Sequence, residues 1–347
     1  MSEALYRKYR PKKFEDVIGQ DHIVKVLEAE VKSGNISHAY LFCGTRGTGK
    51  TSVARILASQ IGTSANDIYE IDAASHTQVE NIRELNESVF TLPFQSKYKV
   101  YILDEVHMLS KSASNALLKT LEEPPSHVVF ILATTEIHKI PETVLSRCEV
   151  YSFKKPSQEV LKKVAMSVAK KEGYTIDDAS AELVALLGDG SFRDTVGIVQ
   201  KILAYSKEPL NKLGAGKKIS EDEVRLVTGA PAVELVHDIL SAISKKDLGL
   251  CLETVKKAVS QNIDMSVFLK LILHTTRAVM FVRLGVESLV KDDLSEKEFQ
   301  FVSELAKTGE NFSSQTLIEL LTAYERTSGA YISQLPLELA LVNICSK

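Results

Sequence analysis

Eight residues, Gly44-Thr-Arg-Gly-Thr-Gly-Lys50-Thr51, constrain this chain more tightly than any other stretch. They match the pattern G-x-x-x-x-G-K-[ST], which demands a buried strand before it and a helix after it. Glycines let backbone N–H groups curl around phosphate oxygens without Cβ obstruction. The helix that starts near Lys50 turns its unsatisfied N–H groups and the positive end of its dipole toward the same anion. An apolar run, Ala39–Cys43, precedes the loop, and Val53, Ile56, Leu57 and Ile61 follow it at helical spacing. The pattern predicts ATP held by Gly44, Thr45, Arg46, Gly47, Thr48, Gly49, Lys50, Thr51 and Ser52. Lys50 would charge-pair with the β- and γ-phosphates, and the Thr51 hydroxyl would ligate Mg²⁺.

A second element completes this chemistry. Val100-Tyr-Ile-Leu-Asp104-Glu105 is an apolar strand ending in two acids. In an open α/β sheet that ending lies at the edge where ligands bind. Asp104 is expected to hold Mg²⁺, and Glu105 to polarise the attacking water, a contribution of roughly 10²–10⁴-fold.

Residues 1–155 alternate such runs with helical patterns. Strands are expected at 39–43, 68–71, 100–103, 128–133 and 150–153. One intervening helix carries Ala113, Leu117 and Leu121 and is stopped by Pro124-Pro125. Such alternation predicts a parallel sheet covered on both faces. After Pro156 the strand signal stops. Helices are expected at 157–172, 179–187 and 192–205, followed by a polar stretch, Lys207 to Lys218. Ser220, with Glu223 three residues on, reads as a capping box. Residues 232–346 read as helix throughout. With 347 residues, 44% hydrophobic and 25% charged, the chain suits a multi-domain globular protein. We divide it into an α/β domain (1–155), a helical domain (156–229) and an all-helical domain (230–347). A net charge of −3 excludes a global basic field, so any DNA contact must be local. No apolar run is expected to span a bilayer, and a cytoplasmic location follows. Cys43, Cys148, Cys251 and Cys345 form no CxxC pair; three or four buried free thiols, with no zinc site, are expected.

Beyond these motifs the chain resembles the gamma/tau subunits of bacterial DNA polymerase III clamp loaders, which are AAA+ ATPases. The resemblance rests on Leu5–Pro11, Phe14–Gln20, Ile71–Ser75, Asp104–Leu109, Asn115–Pro125, Leu132–Thr135 and Ser146–Cys148. It implies an AAA+ P-loop domain with a five-stranded parallel sheet, a helical lid and an all-helical collar for oligomerisation. Thr135, beside Thr134, would be the polar sensor on a strand lying between those of the P-loop and Asp104. Arg147 would be an arginine finger reaching the ATP of a neighbouring subunit. Arg193 would be the lid's sensor for the γ-phosphate. Pro11, Val17 and Ile18 would line the adenine. The implied partners are delta, delta-prime and further gamma/tau copies, the sliding clamp and primer–template DNA, without a membrane. The implied activity is ATP-driven opening and loading of the clamp onto primed DNA, within the polymerase holoenzyme.

The chain departs from that family in two places. The usual four-cysteine zinc module is missing, because Gly62–Asp67 runs directly into the next strand. The loop His76-Thr-Gln78 carries no basic residue beyond one histidine, which weakens its assignment to DNA, and Lys111 is expected to be solvated. Two rival readings remain. A branch-migration helicase would end in a winged-helix domain with strands, against the helical 230–347. A non-catalytic AAA+ scaffold would have lost part of the set Lys50, Thr51, Asp104 and Glu105.

Overall fold

Side-chain alternation along five parallel strands, the central three of them buried, organises the first part of the chain. In the computed structural model, which describes residues 3–75, 79–206, 217–291, 294, 296–309 and 311–346, these strands are β1 (Ala39–Cys43), β2 (Ile68–Asp72), β3 (Lys99–Asp104), β4 (Val128–Thr134) and β5 (Glu149–Ser152). All pair in parallel, in the order β2-β3-β4-β1-β5. Leu41, Tyr101, Leu103, Phe130 and Leu132 face one apolar layer. Their neighbours Tyr40, Phe42, Val100, Ile102, Val129 and Ile131 face the other. Ile82, Leu85, Leu117 and Leu121 close the first layer, and Ile23, Leu27, Val53, Ile56 and Leu57 the second. A sheet covered on both faces needs strands apolar on both faces, which is why β1, β3 and β4 read as unbroken apolar runs.

Two compact units result. One comprises Met1–Ala165 with Gly188–Gly197, and the other Met166–Leu187 with Ile198–Lys347. Among the described residues of the second, the helices Val233–Ser244, Leu248–Ser260, Met265–Arg283, Glu296–Thr308, Ser314–Thr327 and Leu335–Ser346 surround one apolar core. Asp247, Asp264 and Ser313 cap three of them through side-chain acceptors. The capping box at Ser220 and Glu223 forms, with Ser220 Oγ accepting the Glu223 amide and Glu223 Oε2 accepting the Ser220 amide.

Three sequence expectations need correction here. Strand structure does not end at residue 156, because β6 (Tyr174–Ile176) and β7 (Lys217–Ile219) pair in parallel. Each has three residues, too few for a period, and β7 begins with two lysines. The helix Met265–Arg283 is by length and composition apolar enough to cross a membrane, contrary to expectation. Its Phe268, Leu269, Ile272 and Val279 are buried in the core of the second unit. Of the four free thiols, Cys43 and Cys251 are buried whereas Cys148 and Cys345 are half-buried. The segments 76–78 and 207–216, named above, lie outside the described residues.

Asp67, wholly buried, organises the turn before β3. Its carboxylate accepts the amides of Phe94 (2.5 Å), Gln95 (2.9 Å) and Ser96 (2.9 Å). Burial by itself raises its pKa, but the Gln95, Phe94 and Ser96 hydrogen bonds outweigh burial and hold it at about 2. The folded-state pKa lies below the ordinary carboxylate value, so this stabilisation is complete above about pH 4 and is lost as pH falls toward 2. Asp67→Asn is expected to cost about 1.5–3 kcal/mol at pH 7. In urea unfolding, the gap between wild type and variant should narrow as pH falls from 5 to 3. A gap independent of pH would show that Asp67 is not ionised in the folded protein.

Candidate nucleotide site

β1 delivers the chain to Gly44 at the C-terminal edge of the sheet, and the helix Lys50–Gln60 carries it away. Three glycines are required between them, and a Cβ on the first, Gly44, would lie 2.6 Å from the Phe153 carbonyl oxygen. Gly49, at φ +105°, caps that helix in a conformation L-residues avoid. Gly47 combines φ +76° with close approach, since a Cβ there would lie 1.9 Å from Ser191 Oγ. Its carbonyl accepts the Phe192 amide at 3.0 Å, which ties the start of the helix Phe192–Tyr205 to the loop. Thr48 is buried and donates to the Thr45 carbonyl at 2.9 Å; Thr45 and Arg46 are exposed and Ser52 is half-buried.

Lys50 lies inside the curve of the loop, only 5% exposed. Its ammonium donates to the carbonyls of Gly44 (2.8 Å) and Thr45 (3.0 Å). Burial lowers its pKa, while the carboxylates of Glu105 and Asp104 act in the opposite direction. Thr51 Oγ1 donates to Asp104 Oδ2 at 2.7 Å, although 53 residues separate them. β4, between β1 and β3, sets this spacing.

A hydroxyl beside a carboxylate is a pair of hard oxygen donors that suits Mg²⁺. Among the described residues no group of three or more His, Cys, Asp or Glu side chains could hold a metal ion. Mg²⁺ does not need such a cage, because it is commonly held through one or two protein oxygens, substrate phosphates and water. The Thr51–Asp104 pair therefore fits this ion, whereas a zinc cluster is missing among the described residues.

Glu105 follows Asp104 in a left-handed conformation, φ +50°. Such a conformation costs about 1–2 kcal/mol for a residue with a Cβ. Its Oε2 accepts from Thr135 Oγ1 at 3.0 Å. Thr135 directly follows β4, so the expected polar residue meets the expected base. Thr134, the last residue of β4, is fully buried and contacts His107.

The remaining expected residues are distributed differently. Arg193 stacks over the Tyr6 ring, 4.9 Å from its centroid. Val17 packs on the core beside the Lys50–Gln60 helix, Pro11 is half-buried, and Ile18 is 52% exposed. Arg147 stands away from Lys50. β5 runs parallel to β1 with Glu149 opposite Tyr40 and Ser152 opposite Cys43. Arg147 precedes β5, so about 16 Å of sheet separates it from the edge carrying the P-loop. There it donates to Glu122 Oε1 (2.6 Å), Thr143 O (2.7 Å) and Ser146 Oγ (3.1 Å). It borders a cleft of about 590 Å³ shared with His38, Glu122 and Cys148, distinct from the phosphate loop. Lys111 is exposed.

Two site residues were not singled out from sequence. Gln20 is fully buried; its amide donates to Lys154 O at 2.7 Å and Thr48 O at 3.5 Å, and accepts from Lys154 N at 3.1 Å. His107 contacts both Glu105 and Glu136. Both lie inside recognised motifs, where their polar character beside apolar neighbours was the available signal.

Known proteins resemble this chain in both sequence and fold. A family profile described as DNA polymerase III, delta subunit, matches residues 19–74 and 62–157. One described as DNA polymerase III subunits gamma and tau domain III matches residues 219–347. The DNA polymerase III subunit gamma of Buchnera aphidicola (strain Bp) is 34% identical over 85% of this chain and 83% of its own length. The tau subunit of Bacillus subtilis is 33% identical over 99% of this chain, which spans 63% of that relative. For the gamma/tau subunit of Mycoplasma pneumoniae, at 37% identity, the corresponding shares are 84% and 45%. The chain thus spans between about half and two-thirds of these longer relatives. Among solved structures, the Holliday junction branch migration motor RuvB of Thermotoga maritima superposes with a TM-score of 0.53. It is 24% identical, over 68% of this chain and 79% of its own, a likeness of AAA+ fold alone. By the gamma-subunit identity and the domain III match, the chain belongs to the gamma/tau family of DNA polymerase III subunits.

Proposed function

We propose that the chain is an ATP-hydrolysing motor subunit of a DNA polymerase III clamp loader, which opens the sliding clamp and loads it onto primed DNA. The observation that carries this reading is the meeting of Thr51 with Asp104 and of Thr135 with Glu105 beside Lys50. ATP and Mg²⁺ are the expected ligands. Lys50 exchanges its two carbonyl partners for β- and γ-phosphate oxygens, and Thr51 and Asp104 hold the metal. Bound Mg²⁺ supplies neutralisation of charge on the transferring phosphoryl group. Glu105 orients water and accepts its proton, and Thr135 fixes the carboxylate. Arg193 leaves Tyr6 for the γ-phosphate, giving ATP a contact that differs between two conformations, as any ligand switch requires. Pro11, Val17 and Ile18 flank the adenine.

The distance of Arg147 from its own P-loop supports action in trans, on the nucleotide of a neighbouring subunit. Residues 1–155 form the motor domain in this reading, 156–229 the lid and 230–347 the collar. The partners are delta, delta-prime and other gamma/tau copies, the clamp and primer–template DNA, in the cytoplasm and without a membrane. Among the described residues, the elements from 230 onward are helices, which disfavours a winged-helix ending. A native mass of the assembled complex distinguishes a pentameric loader from a hexameric helicase.

Lys50→Ala is expected to abolish ATP binding, read by titration with a fluorescent ATP analogue; retained affinity would remove the P-loop assignment. Arg147→Ala should bind ATP within about twofold of wild type yet lose DNA- and clamp-stimulated hydrolysis. Fingers of this kind contribute about 10³–10⁵-fold, so phosphate release should fall by at least roughly 10²-fold. Normal turnover in that variant would refute the finger.

A further inference from the structure

His107 is nearly buried, with 6% of its side chain exposed, in the turn Val106–Met108 that follows Glu105. Its ring has polar neighbours on both nitrogens. Nδ1 lies 3.0 Å from Thr134 Oγ1 and 3.4 Å from Glu105 Oε2. Nε2 lies 3.3 Å from Glu136 Oε1. Thr134 Oγ1 also accepts the Glu136 amide at 3.0 Å and keeps a second lone pair for an Nδ1–H, a hydrogen that Glu105 Oε2 can share. Glu136 is held in turn by Lys139 (2.7 Å) and faces His138 (3.5 Å). One ring thus touches the acid proposed as general base, the end of β4 and the first residues of the segment leading to Arg147.

The contacts on Glu105 are unequal. Oε2 receives Thr135 Oγ1 and faces His107 Nδ1. Among the described residues, no hydrogen bond or ion pair is made by Oε1. One oxygen is anchored and the other is left to meet water. That division suits a general base, which must present one lone pair in a fixed direction. The anchoring matters more because the Glu105 backbone is left-handed, where local geometry alone favours other conformations.

We propose that His107 is a positioning residue for hydrolysis: with Thr135 it locks one oxygen of Glu105, and through Glu136 it couples that lock to the segment ending in Arg147. The inference rests on the ATPase reading above. It assigns His107 no contact with nucleotide, so its loss should slow the chemical step and spare ATP binding. A misplacement of about 1 Å at a reacting group can cost roughly 10²-fold.

The test uses the full chain assembled with its partner subunits, clamp and primed DNA, comparing wild type, Lys50→Ala, His107→Ala, His107→Asn and His107→Gln. Asn keeps a polar group near the Nδ1 position and loses the reach to Glu136; Gln extends toward the Nε2 position and loses the short arm. His107→Ala should lower kcat by about tenfold to a hundredfold, with KM for ATP and thermal midpoint near wild type. Asn should restore much of kcat, and Gln distinctly less. The proposal is overturned if His107→Ala keeps kcat within about twofold of wild type. It is equally overturned if kcat, KM and thermal midpoint worsen together and Asn and Gln behave alike, the pattern of a packing role. A wild-type assembly that releases no phosphate, or a Lys50→Ala assembly as active as wild type, removes the ATPase reading itself and this inference with it.

Discussion

The hydrogen bond between Thr51 and Asp104 depends on where β4 sits. With β4 between β1 and β3, and all three strands parallel, the ends of those strands fall on one edge at a fixed spacing. A strand of the opposite direction there would send its Thr135 end to the far side. The P-loop, the acid pair and the polar residue after β4 come from three separate parts of the chain. They meet because strand separation in a sheet hardly varies.

Buried charge is treated in two ways in the first unit. Asp67 is saturated by three amides and a serine hydroxyl, and Lys99 by Ser88 O and Thr91 Oγ1 at 2.7 Å each. Those ions fix the turn before β3 and have little capacity for anything else. Lys50 differs. It leans on two loop carbonyls, neutral acceptors that a phosphate oxygen can replace with gain, because charge-assisted hydrogen bonds are roughly twice as strong as neutral ones. Structural ions are closed off by their partners, whereas this ammonium is held in reserve.

What could be read from residues alone follows the same division. Strands β1, β3 and β4 were legible because burial on both faces leaves an unbroken apolar run. The P-loop was legible because phosphate wrapping imposes glycines at fixed intervals. Asp104 and Glu105 were legible only once a P-loop was in hand, since two acids after a strand are otherwise commonplace. Strands β6 and β7 were too short for any period, and β7 opens on charged residues. His107 and Gln20 escaped for another reason: each acts through residues distant in sequence, Glu136 and Lys154, and no spacing encodes such contacts. The left-handed turn at Glu105 was equally silent, for nothing about a glutamate announces positive φ.

The separation of Arg147 from Gly44–Lys50 has a consequence for assembly. With Arg147 acting in trans as proposed, each copy bears half of a hydrolytic centre on one edge of its sheet and the complementary half on the opposite edge. A two-fold dimer, which joins like surface to like, cannot unite the halves; only a polar, directional row can. An open row leaves one end with nucleotide and no arginine, and the other with arginine and no nucleotide, so complete centres number one fewer than the copies. A ring closed by a subunit lacking one half would have the same count, and the direction of the row would then determine which copies can fire.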